Sequence, residues 1–159
     1  MLLVASVFGS AQQPRVYSMC DLFQSAMAPS PTSVSISGLV DGSPFHGYVL
    51  KETAVLSSCP TSRTGLKTAP AAALLIWDGG YGVSVSDSEK QTNQAVLVDL
   101  YSRYNRRDVG PYPFIVTGTV VFKDSPAFVR LPDGSFKGNG FGEMGAYPAI
   151  IVVRSAVAR

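Results

Sequence analysis

The chain contains one histidine, His46, so a serine or cysteine hydrolase mechanism would have to use it as the general base. The carboxylate best placed to assist is Glu143, which follows a glycine-rich stretch and could line a pocket. However, no serine lies in a Gly-x-Ser-x-Gly elbow. A histidine beside Phe45 in a predicted hairpin is more often a surface residue, and Glu143 is more often solvent-facing. We therefore expect no catalytic residue, and a hydrolase using His46 and Glu143 remains a minor alternative.

The glycine-rich stretch at 138–142, Gly-Asn-Gly-Phe-Gly, could bring backbone N–H groups close to an anion. A phosphate loop, however, requires its glycines between a strand and a helix, together with a lysine that is missing here. The sequence instead predicts a structural loop across the mouth of a β-barrel, with no cofactor. Asn139, Phe141 and Glu143 are then candidate ligand contacts.

Two cysteines, Cys20 and Cys59, are predicted to form one disulfide, since an exported chain enters an oxidising compartment. The alternative is a pair of buried free thiols, as expected for a cytosolic protein. Two cysteines and one histidine are too few for a structural zinc site, so no metal is predicted.

Hydrophobic periodicity predicts strands around residues 34–40, 45–51, 71–78, 114–123 and 147–155. A helix is expected between Asp87 and Arg107, capped by Asp87, with four core-facing positions. These are Leu97, Leu100, Tyr101 and Tyr104. A short helix capped by Ser18 is expected at 19–28, and a small hairpin near 127–136.

The order strand, strand, strand, helix, strand, strand is that of a five-stranded OB-like barrel, and the alternative is an open α+β sandwich. Gly38 and Gly118 fall within strands, where a small barrel needs bends and bulges. OB barrels bind ligands through aromatic residues on their second and third strands. Phe45, Tyr48 and Trp77 are therefore candidate ligand contacts, although the apolar neighbours of Trp77 favour packing in the core.

Composition favours one folded domain, because 46% of the residues are hydrophobic and 15% are charged. The net charge of +2 is far from the basic excess that phosphate-backbone binding requires, which argues against nucleic acid as a partner. Residues 1–11 form a short apolar run ending in small residues, which predicts a signal peptide without its usual basic flank. A single OB-like domain over residues 12–159, with no transmembrane segment, would then lie in the periplasm or outside the cell.

Several short stretches resemble a group of small exported bacterial OB-like proteins of uncharacterised function. They lie at residues 20–22, 35–40, 47–50, 59–60, 75–77, 116–120, 138–142 and 145–149 and in the final Ile-Val-Val run. The resemblance implies an OB-like fold and export, and it says nothing about activity or substrate. We therefore expect a non-enzymatic binding module for a peptide, glycan or protein partner, with a structural envelope domain as the alternative.

Overall fold

The computed structural model describes residues 15–24, 33–53, 72–108, 110–123, 128–134, 136–138, 140–142 and 147–159. Its elements, in chain order, are β1 (Val16–Ser18), α1 (Met19–Gln24), β2 (Val34–Ser43), β3 (Gly47–Lys51), β4 (Ala72–Ile76), α2 (Asp87–Asn105), β5 (Tyr112–Phe122), β6 (Phe128–Arg130), β7 (Phe136–Gly138) and β8 (Ala149–Ala158).

Five of these strands form a closed barrel. The hydrogen-bonded order is β2, β3, β4, β8, β5, and β5 pairs back onto β2 to complete the ring. The pairings are antiparallel except that between β4 and β8, which is parallel. With α2 between the third and fourth barrel strands, this is the strand–helix order of an OB-like barrel, so the predicted fold is confirmed.

The barrel is filled by apolar side chains that alternate with outward-facing ones along each strand, as the period of two requires. Ile36, Val116 and Ile151 are among the fully buried residues of this interior core. A second cluster lies on the outer face of β4 and β8, where Ile150 and Val152 are covered by Phe141 and Val85. The first half of strand β8 is buried on both faces, which explains its uninterrupted Ile-Ile-Val-Val sequence.

Both mid-strand glycines lie where a neighbouring strand approaches closely. The register of β5 against β8 shifts between Thr117 and Gly118, as expected for a bulge at a barrel corner. A Cβ at Gly118 would collide with the carbonyl oxygen of Val152. At Gly38 a Cβ would lie 2.5 Å from the carbonyl oxygen of Lys51. Neither position has room for a side chain while the two strands remain in contact.

The N-terminal part of the described chain packs onto the barrel. Strand β1, which the sequence did not predict, pairs in parallel with the first half of β2. Helix α1 begins after Ser18, whose hydroxyl accepts the backbone N–H of Asp21 while its own N–H donates to the Asp21 carboxylate, both at 3.0 Å. Met19, Leu22 and Phe23 are buried, and the predicted capping by Ser18 is confirmed. Residues 25–28 of the predicted helix lie outside the described residues.

The turn between β2 and β3 lies later than predicted. Strand β2 continues through Ser43, and the chain turns at residues 44–46, so Phe45 and His46 lie in the turn and not in a strand. The left-handed φ of +124° at Gly42 lets that residue stay paired with Tyr48. The hairpin of β6 and β7 is confirmed.

Candidate functional site

The predicted aromatic residues of β3 and β4 meet at one end of the barrel. Tyr48 is the second residue of β3, and Trp77 follows the last residue of β4. Their rings contact edge to face, with centroids 6.5 Å apart. Tyr48 is 7% exposed, whereas Trp77 is half-buried and packs against the interior core. Trp77 therefore contributes to the core and also to the surface of this end.

Helix α2 passes this aromatic pair in its middle, at Asn93, Gln94 and Leu97. Its N-cap is Ser86, so the prediction of Asp87 was wrong by one residue. Ser86 and Glu89 form a capping box, in which the Ser86 N–H donates to the Glu89 carboxylate at 2.7 Å. Glu89 also accepts a hydrogen bond from Arg154 of β8 at 3.1 Å. Hydrogen bonds from Ser86, followed by that from Arg154, lower the pKa of Glu89 to about 2. Together these contacts fix the start of α2 against the barrel.

Asn93 joins α2 to two strands, and the sequence did not single it out. Its side chain is 1% exposed, and its Nδ2 donates at 2.9 Å to the carbonyl oxygens of both Trp77 and Val153. An amide supplies two donors, which matches the two carbonyls that strands β4 and β8 present at this end. The backbone at Trp77 is thereby held in place from the helix side.

The predicted core-facing side of α2 is only partly correct. Leu100 is 2% exposed and belongs to the interior core, and Leu97 is half-buried against it. Tyr101 and Tyr104 were expected in the core, but they are 49% and 37% exposed. The helix contacts the barrel end through Asn93 and Leu100. The side of that end next to Tyr101 is therefore left uncovered.

The opening is a cavity of about 420 Å³ between α2, the start of β3 and the end of β4. It is lined by Pro44, Gly47, Tyr48, Leu75, Trp77, Gln94, Leu97, Val98 and Tyr101. Its volume lies within the range of small-ligand sites, roughly 300–1,000 Å³. None of the described residues that line it carries a charge, so this part of the wall is neutral as well as largely apolar.

Two polar atoms of the aromatic pair have no hydrogen-bond partner among the residues that the structure describes. They are the hydroxyl of Tyr48 and the indole Nε1 of Trp77, both buried at the atomic level. Burial, together with the nearby Tyr112, raises the pKa of Tyr48, so its hydroxyl stays protonated. Tyr48 also borders a cavity of about 20 Å³ beside Tyr104 and Tyr112, enough for roughly one water molecule. Trp77 lines the large cavity with other parts of its side chain, since its Nε1 has almost no accessible surface.

Phe45 lies at the rim of the same cavity. It is 75% exposed in the turn between β2 and β3, and its ring contacts that of Tyr104 with centroids 6.0 Å apart. Its neighbour Pro44 lines the cavity, as does Tyr101 one turn before Tyr104. Aromatic side chains therefore continue from the cavity onto the adjoining surface.

The remaining predicted contacts do not join this group. Phe141 packs on the outer face of β4 and β8, edge to face with Tyr81 at 5.3 Å and with the Lys123 ammonium 5.1 Å from its ring centroid. Asn139 and Glu143 lie outside the described residues. The structure thus separates Phe141 from Tyr48 and Trp77, which the sequence had placed in one list of candidates.

The residues considered for other chemistry are placed as follows. His46 is exposed in the turn between β2 and β3, where its backbone N–H donates to the Ser43 hydroxyl at 3.2 Å. Cys20 lies in α1, and its backbone N–H donates to the buried Glu52 carboxylate at 2.7 Å. Cys59 and residues 1–11 lie outside the described residues, so the disulfide and the signal peptide stay predictions. Within the described ranges, no group of three or more His, Cys, Asp or Glu residues could hold a metal ion.

Comparison with known proteins adds no family. No protein-family model, curated protein or solved structure matches the chain. In the part of the chain that the structure describes, no helix is long and apolar enough to cross a membrane.

Proposed function

We propose that this chain is a non-enzymatic binding module whose ligand occupies the cavity between α2 and the ends of β3 and β4. The observation that carries the proposal is a cavity of about 420 Å³ with aromatic walls and no charged side chain among the described residues that line it. A concave, mostly apolar cavity of this size is typical of small-ligand sites.

The lining defines the chemistry of the ligand. Tyr48, Leu75, Leu97 and Val98 favour an apolar or aromatic body, which gains free energy when it leaves water. A charged ligand would lose its hydration without meeting a counter-charge among the lining residues. The preferred ligand is therefore neutral and mostly apolar.

We further propose that the protein acts outside the cytoplasm. This rests on the apolar run and small residues at 1–11, on the resemblance to small exported OB-like proteins and on the predicted pairing of Cys20 with Cys59. Expression with the native N-terminus in a bacterium, followed by cell fractionation, tests it. We expect the protein in the periplasm or medium, with thiols that react with N-ethylmaleimide only after reduction. Retention in the cytoplasm with freely reactive thiols would contradict it.

Binding is tested with N-phenyl-1-naphthylamine, an uncharged aromatic probe whose emission rises in apolar surroundings. We expect saturable binding at one site per chain, with quenching of Trp77, which is the only tryptophan. A structural domain without a ligand site would show no saturable binding, and that result would overturn the proposal.

A pair of charge variants on α2 locates the site. Val98→Glu places a carboxylate on the cavity wall, whereas Gln91→Glu adds the same charge at an exposed position that does not line the cavity. Because a carboxylate in the cavity would be held near an apolar ligand, we expect Val98→Glu to weaken probe binding at least about tenfold. Gln91→Glu should leave it unchanged. Equal losses in the two variants would show that the probe binds elsewhere.

A further inference from the structure

We infer that the natural occupant of the cavity is a second copy of this chain. Each copy inserts the side chain of its Phe45 into the cavity of the other, so two identical contacts hold a two-fold symmetric dimer together. This deepens the proposed function and rests on it, because the ligand is then a neutral, apolar side chain that the chain itself supplies.

Exposed apolar side chains concentrate at this end of the barrel. Among the described residues, seven large hydrophobic side chains are exposed, and four of them lie together here. Phe45 and Tyr104 contact each other at the rim, and Val98 and Tyr101 line the cavity. Monomeric soluble proteins rarely expose large contiguous apolar patches, and such patches mark interaction sites. The cavity and its rim are therefore an interaction surface.

A protruding ring and an apolar cavity lie side by side on this surface. Phe45 is 75% exposed and does not line its own cavity, although Pro44, about 3.8 Å along the chain, does. The ring of Phe45 contacts Tyr104, which lies about one helical turn after Tyr101 of the cavity wall. In a two-fold dimer one patch meets its own copy. A projection beside a depression allows each copy to fill the other.

The size and charge of the cavity fit this occupant. At about 30 Å³ for each water-sized group, 420 Å³ holds roughly fourteen non-hydrogen atoms, enough for a phenylalanine side chain and part of its neighbour. A two-fold axis also brings a patch close to its own copy, so like charges would repel. The described lining residues carry none. An anionic membrane surface would instead be attracted by basic residues, which these lining residues lack.

The exposed area predicts a weak, reversible dimer. If an aromatic side chain presents about 150–250 Å², the exposed parts of Phe45, Tyr101 and Tyr104 offer about 240–400 Å². A standard stable interface uses about 800 Å² of each partner, and weak complexes use less than about 600 Å². Val98 and the cavity wall add to the aromatic area, which places this surface in the weaker class. We expect a dissociation constant of about 1–100 μM.

Sedimentation velocity of the full chain from about 1 to 500 μM tests the dimer, because this range spans the expected dissociation constant. We expect a monomer–dimer equilibrium without larger species, since reciprocal insertion closes the assembly. N-phenyl-1-naphthylamine competes for the same cavity and should shift the equilibrium toward the monomer. A chain that stays monomeric at the highest concentration would overturn the inference. Species that grow beyond the dimer would also overturn it, because they would indicate an open head-to-tail contact.

Matched variants test the insertion of Phe45. Phe45→Ser removes the projection and leaves the cavity. Burial of a phenylalanine side chain corresponds to about tenfold or more in affinity, so loss of both contacts should weaken dimerisation at least about 100-fold. Tyr81→Asn removes an exposed ring on the other face and suits the left-handed φ of +55° there, so it should leave the dimer unchanged. Equal effects of the two substitutions would overturn the insertion.

A mixture of two variants tests whether the contact is reciprocal. Val98→Glu places a carboxylate on the cavity wall and keeps Phe45, whereas Phe45→Ser keeps the cavity and lacks the ring. Each variant alone should dimerise poorly. Together they rebuild one of the two contacts, so we expect a heterodimer at least about tenfold tighter than either homodimer. A mixture that associates no better than its components would overturn reciprocal insertion.

The outcomes distinguish the two proposals. Phe45→Ser should be monomeric and still bind N-phenyl-1-naphthylamine, because its cavity is intact. Binding of this probe by a wild-type chain that never dimerises would overturn the second copy as occupant and leave the proposed binding function intact. Recruitment of such a monomer to phosphatidylglycerol vesicles would likewise overturn the dimer and identify a membrane as the partner. Failure of the probe to bind Phe45→Ser would overturn the binding function itself.

Discussion

Asn93→Ala tests the contact that holds α2 and Trp77 in position. The substitution removes two donors, so the carbonyl oxygens of Trp77 and Val153 lose the hydrogen bonds that they accept at 2.9 Å. Each carbonyl left unpaired costs about 1–3 kcal/mol, or about 2–6 kcal/mol for the two. The substitution also removes the Asn93 Oδ1, which has no partner and whose burial carries a similar cost of about 1–3 kcal/mol.

The difference is a net loss of about 1–3 kcal/mol, reduced by about 0.5 kcal/mol because alanine favours the helix. We therefore expect Asn93→Ala to lower the free energy of unfolding by about 1.5 kcal/mol. Urea unfolding followed by Trp77 fluorescence and by circular dichroism measures it, because the two signals report the barrel end and the helices.

Gln91→Ala is the matched control, since Gln91 is exposed on the same helix and its replacement should change the free energy of unfolding by less than about 0.5 kcal/mol. If Asn93→Ala were no more destabilising than Gln91→Ala, the two hydrogen bonds would not stabilise the fold, and the account of how Trp77 is positioned would be refuted.

Other predictions concern the strands, the helix cap and the buried tyrosine. Gly118→Ala should destabilise the barrel by about 1–3 kcal/mol, measured by urea unfolding, because its Cβ would collide with the Val152 carbonyl oxygen; an unchanged midpoint would contradict the close strand contact. Ser86→Ala should cost about 1 kcal/mol by the same assay, because the N-cap is lost, and a neutral result would place the cap elsewhere. The pKa of Glu89 is lowered to about 2, so its contribution to stability is present above about pH 4.5 and is lost as the pH falls toward 2. Glu89→Gln should therefore flatten the dependence of the free energy of unfolding on pH between about 4.5 and 2. An unaltered pH dependence would show that Glu89 does not contribute to stability in this way. The pKa of Tyr48 is raised by burial, so Tyr48→Phe should remove a tyrosine that ionises at higher pH than the exposed tyrosines in an ultraviolet titration. Loss of a tyrosine that ionises at the pH of the exposed ones would contradict the burial of Tyr48.

The barrel could be predicted from the sequence because its strands have a strong signal. Alternation around Ile36 and Val40, and the β-branched runs that contain Val116 and Ile151, predict strands by period and composition. The pairing of β4 with β8 could not be predicted in the same way, since a strand buried on both faces does not indicate its neighbours.

The helix shows why the site was only partly predicted. Leu100, Tyr101 and Tyr104 lie three, four and seven residues after Leu97, which is the spacing of one helix face. A periodic pattern therefore assigns all of them to the core. The structure buries Leu100 and a polar residue, Asn93, and leaves the tyrosines at the cavity and its rim. Because a tyrosine can sit with its ring against apolar groups and its hydroxyl in water, its spacing alone does not distinguish a core position from a binding surface.

The indole resonance of Trp77 tests the central claim most directly. The chain has one tryptophan, so its ¹H–¹⁵N spectrum contains one indole N–H signal. On saturation with N-phenyl-1-naphthylamine, we predict shifts in that signal and in the backbone amides of Leu97, Val98 and Tyr101, with the amides near Tyr81 and Phe141 unchanged. An unmoved indole signal, or shifts centred on Tyr81 and Phe141, would contradict a ligand site between α2 and the barrel.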